Sequence, residues 1–261
     1  MKPLHEILGD VRAKIAAAAA RAGRNADDVE IVAVTKTHGE ETVREALDAG
    51  LGIIGENKVQ EAMWKKAASP SGPEWHLIGH LQTNKVRQAL ETFDVIHSVD
   101  SLRLADRINS VADNLGLSPR ILLEVNVSGE KSKSGMAPAA VGEAVEHIMR
   151  ECPRLTLEGF MTMAPVCEDA EEARPVFRAL RELRDRLEQE FKASFPRLSM
   201  GMSGDYEVAV EEGATWIRLG TVLFGERPRL RQVRASSEAA DVPLGGLDSY
   251  SGEGPTFRVL D

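Results

Sequence analysis

A lysine closes one of the most apolar short stretches of the chain. Ile31, Val32, Ala33, Val34 and Thr35 run without a charge into Lys36, followed by Thr37. An uninterrupted apolar run of this length reads as a strand buried on both faces. Burying a cationic amine at its end is costly, burial lowers the pKa of lysine, and a neutral amine adds to a carbonyl to form an imine. Much later in the chain, Gly201 with Ser203 and Gly220 with Thr221 close two further apolar stretches. Glycine admits a close backbone approach and the hydroxyls donate hydrogen bonds, a combination that suits a phosphate. Between Ile217 and Leu219 stands Arg218. An amine and a phosphate subsite together suit a phosphorylated aldehyde held as an imine, of which pyridoxal phosphate (PLP) is the common example. An arginine against the pyridine nitrogen would disfavour its protonation and mute the ring as an electron sink. Plainer readings stand beside these. Lys36 can lay its stem along a rim with its ammonium in water, Ser203 can cap a helix, and Arg218 can pair with a glutamate. His76, His80 and His97 lack metal-ligand spacing and read as satisfied structural histidines.

The elements that must position these residues alternate regularly. The pattern predicts an opening helix from Pro3 to about Ala22. Strands are expected over 31–37, 51–55, 75–79, 95–99, 121–127, 157–161, 198–202 and 216–220, with helices over 40–49, 57–68, 83–90, 101–115, 138–151, 168–191 and 205–212 between them. Eight strand-then-helix units in a row predict a single (β/α)8 TIM barrel with an extra N-terminal helix. A doubly wound open sheet is the alternative. In a barrel the functional face is the carboxyl end of the strands, and the ends of strands seven and eight commonly hold phosphate. The charged run from Arg178 to Glu190 reads as a solvated helix face. From Arg229 the pattern gives way to Ser, Gly and Pro, so residues 1–228 are expected to form the barrel and 229–261 a mobile tail.

Composition bounds the partners. The 261 residues carry a formal net charge of −9, with 43% hydrophobic and 28% charged residues. Such a chain repels nucleic acid and anionic membrane as a whole, while a local basic pocket for one phosphate is allowed. Two cysteines, Cys152 and Cys167, form no disulfide framework and fit a reducing compartment. No apolar run approaches a membrane span, so the expected localisation is cytoplasmic.

The motifs Ala33-Val34-Thr35-Lys36-Thr37, Gly55-Glu56-Asn57-Lys58-Val59-Gln60-Glu61, His76-Leu77-Ile78-Gly79-His80-Leu81-Gln82-Thr83-Asn84-Lys85, Val125-Asn126-Val127-Ser128, Gly159-Phe160-Met161-Thr162-Met163, Leu198-Ser199-Met200-Gly201-Met202-Ser203-Gly204-Asp205 and Ile217-Arg218-Leu219-Gly220-Thr221-Val222-Leu223-Phe224-Gly225 occur in this order. Together they resemble the YggS/PROSC family of PLP homeostasis proteins, relatives of the barrel domain of alanine racemase. The resemblance implies Lys36 as the Schiff-base lysine, Ser199, Met200, Ser203, Gly220 and Thr221 around the phosphate, Asn57 near the ring, and Arg218 near the pyridine nitrogen. It also implies a part for Lys133 in handling PLP. Two positions depart from the family pattern: Lys58 stands for the usual tyrosine and His80 for the usual proline.

The expected function is therefore an intracellular PLP carrier or buffer, monomeric, with PLP-dependent apo-enzymes as recipients and little or no catalysis. A racemase of this fold needs a second base, typically a tyrosine from a second domain, and only Tyr206 and Tyr250 are present. The rivals are a true PLP enzyme such as an amino-acid racemase, a Schiff-base aldolase, and an interaction barrel in which Lys36 only reaches for solvent.

Overall fold

The computed structural model describes residues 2–69, 72–130 and 133–225; the expected tail, and the boundary at residue 228, lie outside the described residues. Helix α1 (Leu4–Arg21) comes first and buries Leu8, Val11, Ile15, Ala18 and Ala19, one face at helical spacing. Then follow β1 (Glu30–Val34), α2 (Glu40–Asp48), β2 (Ile53–Glu56), α3 (Val59–Ala68), β3 (Glu74–Leu77), α4 (Val86–Thr92), β4 (Val95–Val99) and α5 (Leu102–Leu115). The second half holds β5 (Arg120–Glu124), α6 (Val141–Glu151), β6 (Thr156–Met161), α7 (Arg174–Phe191), β7 (Arg197–Ser199), α8 (Tyr206–Glu211), β8 (Trp216–Leu219) and α9 (Thr221–Phe224). All eight strands are parallel, each pairs with the next, and β8 returns to β1 with Val32 opposite Arg218 and Ala33 opposite Leu219. This is the expected closed (β/α)8 barrel with its extra N-terminal helix.

Several boundaries differ from the sequence expectation, each for a local reason. Strands β1, β7 and β8 end sooner than expected, and the chain beyond them turns away to build the mouth of the barrel. Helix α7 starts at Arg174 instead of Glu168: Pro175 occupies its first turn, and Asp169 accepts the Glu171 N–H at 2.9 Å to hold a preceding 3-10 turn. Helix α5 begins as expected, with the Ser101 hydroxyl accepting the Leu104 N–H, and ends at Gly116 with φ +67°.

Two cores result. One lies between barrel wall and helices. The other is a small plug of Val32, Val95, Leu122, Met161 and Trp216 with Ile53 and Ile78. Six of these come from six strands around the ring and Ile78 from just beyond β3, so they can meet only inside it. Under the plug are ion pairs: Arg120 with Glu74 at 2.7 Å and with Glu158 at 3.6 Å, and Arg197 with Glu30 at 2.7 Å. The charged face of α7 is not simply solvated. Arg174, Arg178 and Arg181 converge on Glu212 just after α8, whose side chain is only 5% exposed, and so clasp α7 to the helix behind the β7 loop.

Candidate functional site

Lys36 stands two residues beyond β1, half-buried at the mouth. Its flanks are held from below. Lys65, on α3 and 0% exposed, donates to Thr35 O at 2.7 Å, Glu56 Oε1 at 2.6 Å and Glu61 Oε1 at 2.8 Å. Glu56 Oε1 also accepts the Thr35 hydroxyl, and Glu61 Oε1 accepts the Thr37 N–H. Thr37 has φ +66°, a rare conformation for a β-branched residue that persists only when its surroundings impose it. Burial raises the Glu56 pKa above its ordinary value, against the lowering bonds from Lys65 and Thr35, and Glu56 Oε2 has no partner among the described residues. Sequence reading missed Lys65. Its signal was position: Val59, Ala62 and Lys65 fall on one helical stripe, and all three are buried.

Asn57 follows β2 and is placed by Gly79, where a Cβ would come within 2.7 Å of the Asn57 Cα. Gly79→Ala is expected to push that loop aside at a cost of about 1–3 kcal/mol; a urea midpoint equal to that of the unsubstituted protein would show that the loop yields freely.

On the other side of Lys36, Gly220 packs against β1, where a Cβ would lie 3.2 Å from Val34 O. This sets Gly220 and exposed Thr221 beside the Lys36 segment. Ser203 Oγ accepts the Val222 N–H at 3.2 Å, joining the loops after β7 and β8. Asp205 accepts the Met202 N–H at 2.6 Å, and Gly201, just before this turn, has φ +91°. Ser199 and Met200 sit deeper, each 0% exposed. For Ser199 the placement differs from the expectation of a phosphate donor: its hydroxyl lies 2.9 Å from His97 Nδ1 and accepts from Arg218 Nη1 at 2.7 Å. The Met200 N–H donates to Trp216 O at 3.1 Å.

Arg218 is 5% exposed, and its second contact is Nη2 to Thr162 O at 2.9 Å. Among the described residues no carboxylate lies within 4.0 Å of it, so the glutamate pair considered for it does not form. Burial pulls its pKa down to about 10, opposed by the charges of Asp205 and Glu124. Lys133 lies 3.3 Å from Glu130 and donates to Met163 O at 3.4 Å. Lys58 is exposed, and His80, also exposed, is 3.3 Å from Asp100. His76 and His97 are buried within the barrel and hydrogen-bonded to each other at 2.9 Å. Far from the mouth, Asp106, His147 and Cys152 bring their donor atoms within 4.8 Å of one another. The His147 ring meets Asp106 at 2.6 Å, and burial with the Asp106 charge pushes the Cys152 thiol up to about 11, so these groups satisfy one another.

The mouth thus gathers an amine, two hydroxyls on joined loops and a buried guanidinium without a carboxylate, a donor set that fits a phosphorylated aldehyde with a ring acceptor. The family model for the N-terminal domain of alanine racemase matches residues 8–228. The pyridoxal phosphate homeostasis protein of Aquifex aeolicus is 45% identical over 223 residues, 85% of this chain and 97% of that one. The chain belongs to the pyridoxal phosphate homeostasis protein family. A second member, from Pseudomonas aeruginosa, is 42% identical over 87% of this chain and 97% of its own. A solved structure of the family, PipY of Synechococcus elongatus with PLP bound, superposes with a TM-score of 0.74 at 37% identity, covering 85% of this chain and all of that one. These family members are named as homeostasis proteins and not as enzymes. No helix among the described residues is long and apolar enough to cross a membrane.

Proposed function

We propose that this chain holds PLP at the carboxyl-terminal mouth of the barrel and buffers or hands on the cofactor in the cytoplasm, with little or no catalysis of its own. PLP-dependent apo-enzymes are the recipients in this reading, and the chain acts as a monomer. The observation that carries it is Arg218, a buried cation with only neutral partners among the described residues, set on the strand next to β1, beyond whose end Lys36 stands. When bound, PLP supplies an aldehyde that condenses with an amine, and a ring that draws electrons only as strongly as its nitrogen is protonated. Lys36 provides the amine. Ser203, Gly220 and Thr221 line the phosphate, with Met200 fixing the turn beneath them. Asn57 borders the ring, and Arg218 faces its nitrogen as a donor, which withholds a proton. Ser199 acts on Arg218 more than on the phosphate. Tyr206, the one tyrosine among the described residues, is 4% exposed with its phenol pushed up to about 12 by burial, a poor proton acceptor for racemisation.

Protein loaded with PLP is expected to show a near-visible absorption band and, after borohydride, a stable mass addition on Lys36. Lys36→Ala should lose both; an unchanged band in that variant would remove Lys36 from the reading. Racemisation or decarboxylation of an amino acid at ordinary enzyme turnover would overturn the carrier assignment.

A further inference from the structure

Between Glu74 and Arg218 the barrel interior holds an unbroken run of hydrogen bonds. Glu74 Oε1 is 2.6 Å from His76 Nε2, and His76 Nδ1 is 2.9 Å from His97 Nε2. His97 Nδ1 is 2.9 Å from Ser199 Oγ, which is 2.7 Å from Arg218 Nη1. His76, His97 and Ser199 are shut off from solvent. Trp216 stacks on His97 at 5.1 Å and meets His76 edge-on at 4.7 Å, and its own Nε1 donates to Glu30 at 3.0 Å. Trp216 thus packs against both imidazoles.

With both imidazoles neutral, the two ends of this run dictate every proton in it. A guanidinium has only donors, so Ser199 Oγ accepts from Arg218. The serine O–H then serves His97 Nδ1, which carries no proton. His97 in its neutral form keeps its proton on Nε2 and donates to His76 Nδ1. His76 in turn keeps its proton on Nε2 and donates to Glu74. Starting from the carboxylate, which only accepts, gives the same assignment. Arg120 also donates to this Glu74 oxygen at 2.7 Å, and the bonds from His76 and Arg120 hold the carboxyl at about 2. A second proton on His76 would move the His97 proton to Nδ1, with Ser199 Oγ accepting it, and burial opposes this by pushing both rings below the ordinary histidine value.

We infer that Glu74, His76, His97 and Ser199 are positioning residues for Arg218. Ser199 Oγ and Thr162 O are the two acceptors that fix the plane of the guanidinium, and the run behind Ser199 takes up its hydrogen and holds its oxygen in place toward Arg218. The edge of Arg218 offered to the mouth is thereby constant. The relevance to a ligand rests on the PLP reading above; the proton order does not.

Two measurements test this. In the full chain without cofactor, nitrogen-15 NMR of the histidine side chains should show His76 and His97 neutral, each with its proton on Nε2; a proton on Nδ1 of either ring overturns the assignment. In protein loaded with PLP, Ser199→Ala should shift the near-visible maximum and raise the dissociation constant roughly tenfold, as loss of a charge-assisted hydrogen bond does. Ser199→Thr should restore both. His97→Phe should reproduce the alanine result. If it does not fold, the Ser199 pair decides. An unchanged spectrum and affinity in Ser199→Ala overturn the inference. Wild-type protein that takes up no PLP yet shows the expected tautomers would overturn the PLP site while supporting the relay.

Discussion

Lys65→Met is expected to destabilise the fold by about 3–5 kcal/mol, the usual cost of removing one partner from a buried ion pair. The ammonium serves three acceptors and has no exposed surface. Its loss leaves Glu56 buried with one oxygen already unpartnered and the other keeping only the Thr35 hydroxyl. It also frees Glu61, the acceptor that holds Thr37 at φ +66°. Two effects should therefore appear together: a large drop in the urea midpoint, and weaker PLP uptake by the fraction still folded, because Lys36 sits between the two loosened residues. Loss of stability with PLP affinity intact would mean that the network supports the fold without aiming the amine.

The second large effect is a pH dependence. Glu124, at the end of β5, is 3% exposed, and its carboxyl is pushed up to about 7 by burial and by the Asp100 charge, against the opposing pull of Arg218. A carboxyl raised on folding is easier to ionise in the unfolded chain. Its contribution is fully retained below about pH 4.5 and declines as pH climbs through 7, by on the order of 3 kcal/mol in all. Glu124→Gln removes a group that must ionise in the dark of the barrel. At pH 8 the variant should be more stable than wild type by about 2–3 kcal/mol, and near pH 4 the two should match. Urea denaturation at both values checks this; equal stability at pH 8 would place the Glu124 carboxylate in contact with water or a cation.

What the sequence disclosed depended on the range of the interaction. Period and punctuation are local, so the eight strands, Ser101 as a cap and Gly116 as a stop were legible, as was the gathering of Lys36, Ser203 and Thr221 at the carboxyl end of the barrel. Strand ends were less so. Thr35 to Thr37 look like more strand, but the chain turns there because side chains from α3, more than twenty residues on, seize its backbone. Lys65 was visible only as a lysine on an otherwise apolar stripe. His76 and His97 are 21 residues apart, and only the pairing of β3 with β4 brings their rings together. The expectation of a solvated face on α7 is incomplete for the same reason: Glu212, more than thirty residues away, gathers Arg181 and the half-exposed Arg178. Ser199 lay in a motif read for phosphate, yet the strand alternation that turns Arg218 inward turns Ser199 toward it.

The plug of Val32, Val95, Leu122, Met161 and Trp216 closes the barrel from below. A barrel stopped in this way has one door. If the chain carries PLP as proposed, cargo that enters at the Lys36 rim leaves across the same rim, so a donor and a recipient must compete for it. Loading and delivery become mutually exclusive encounters, and traffic is ordered by which partner reaches the rim first instead of by passage through the protein.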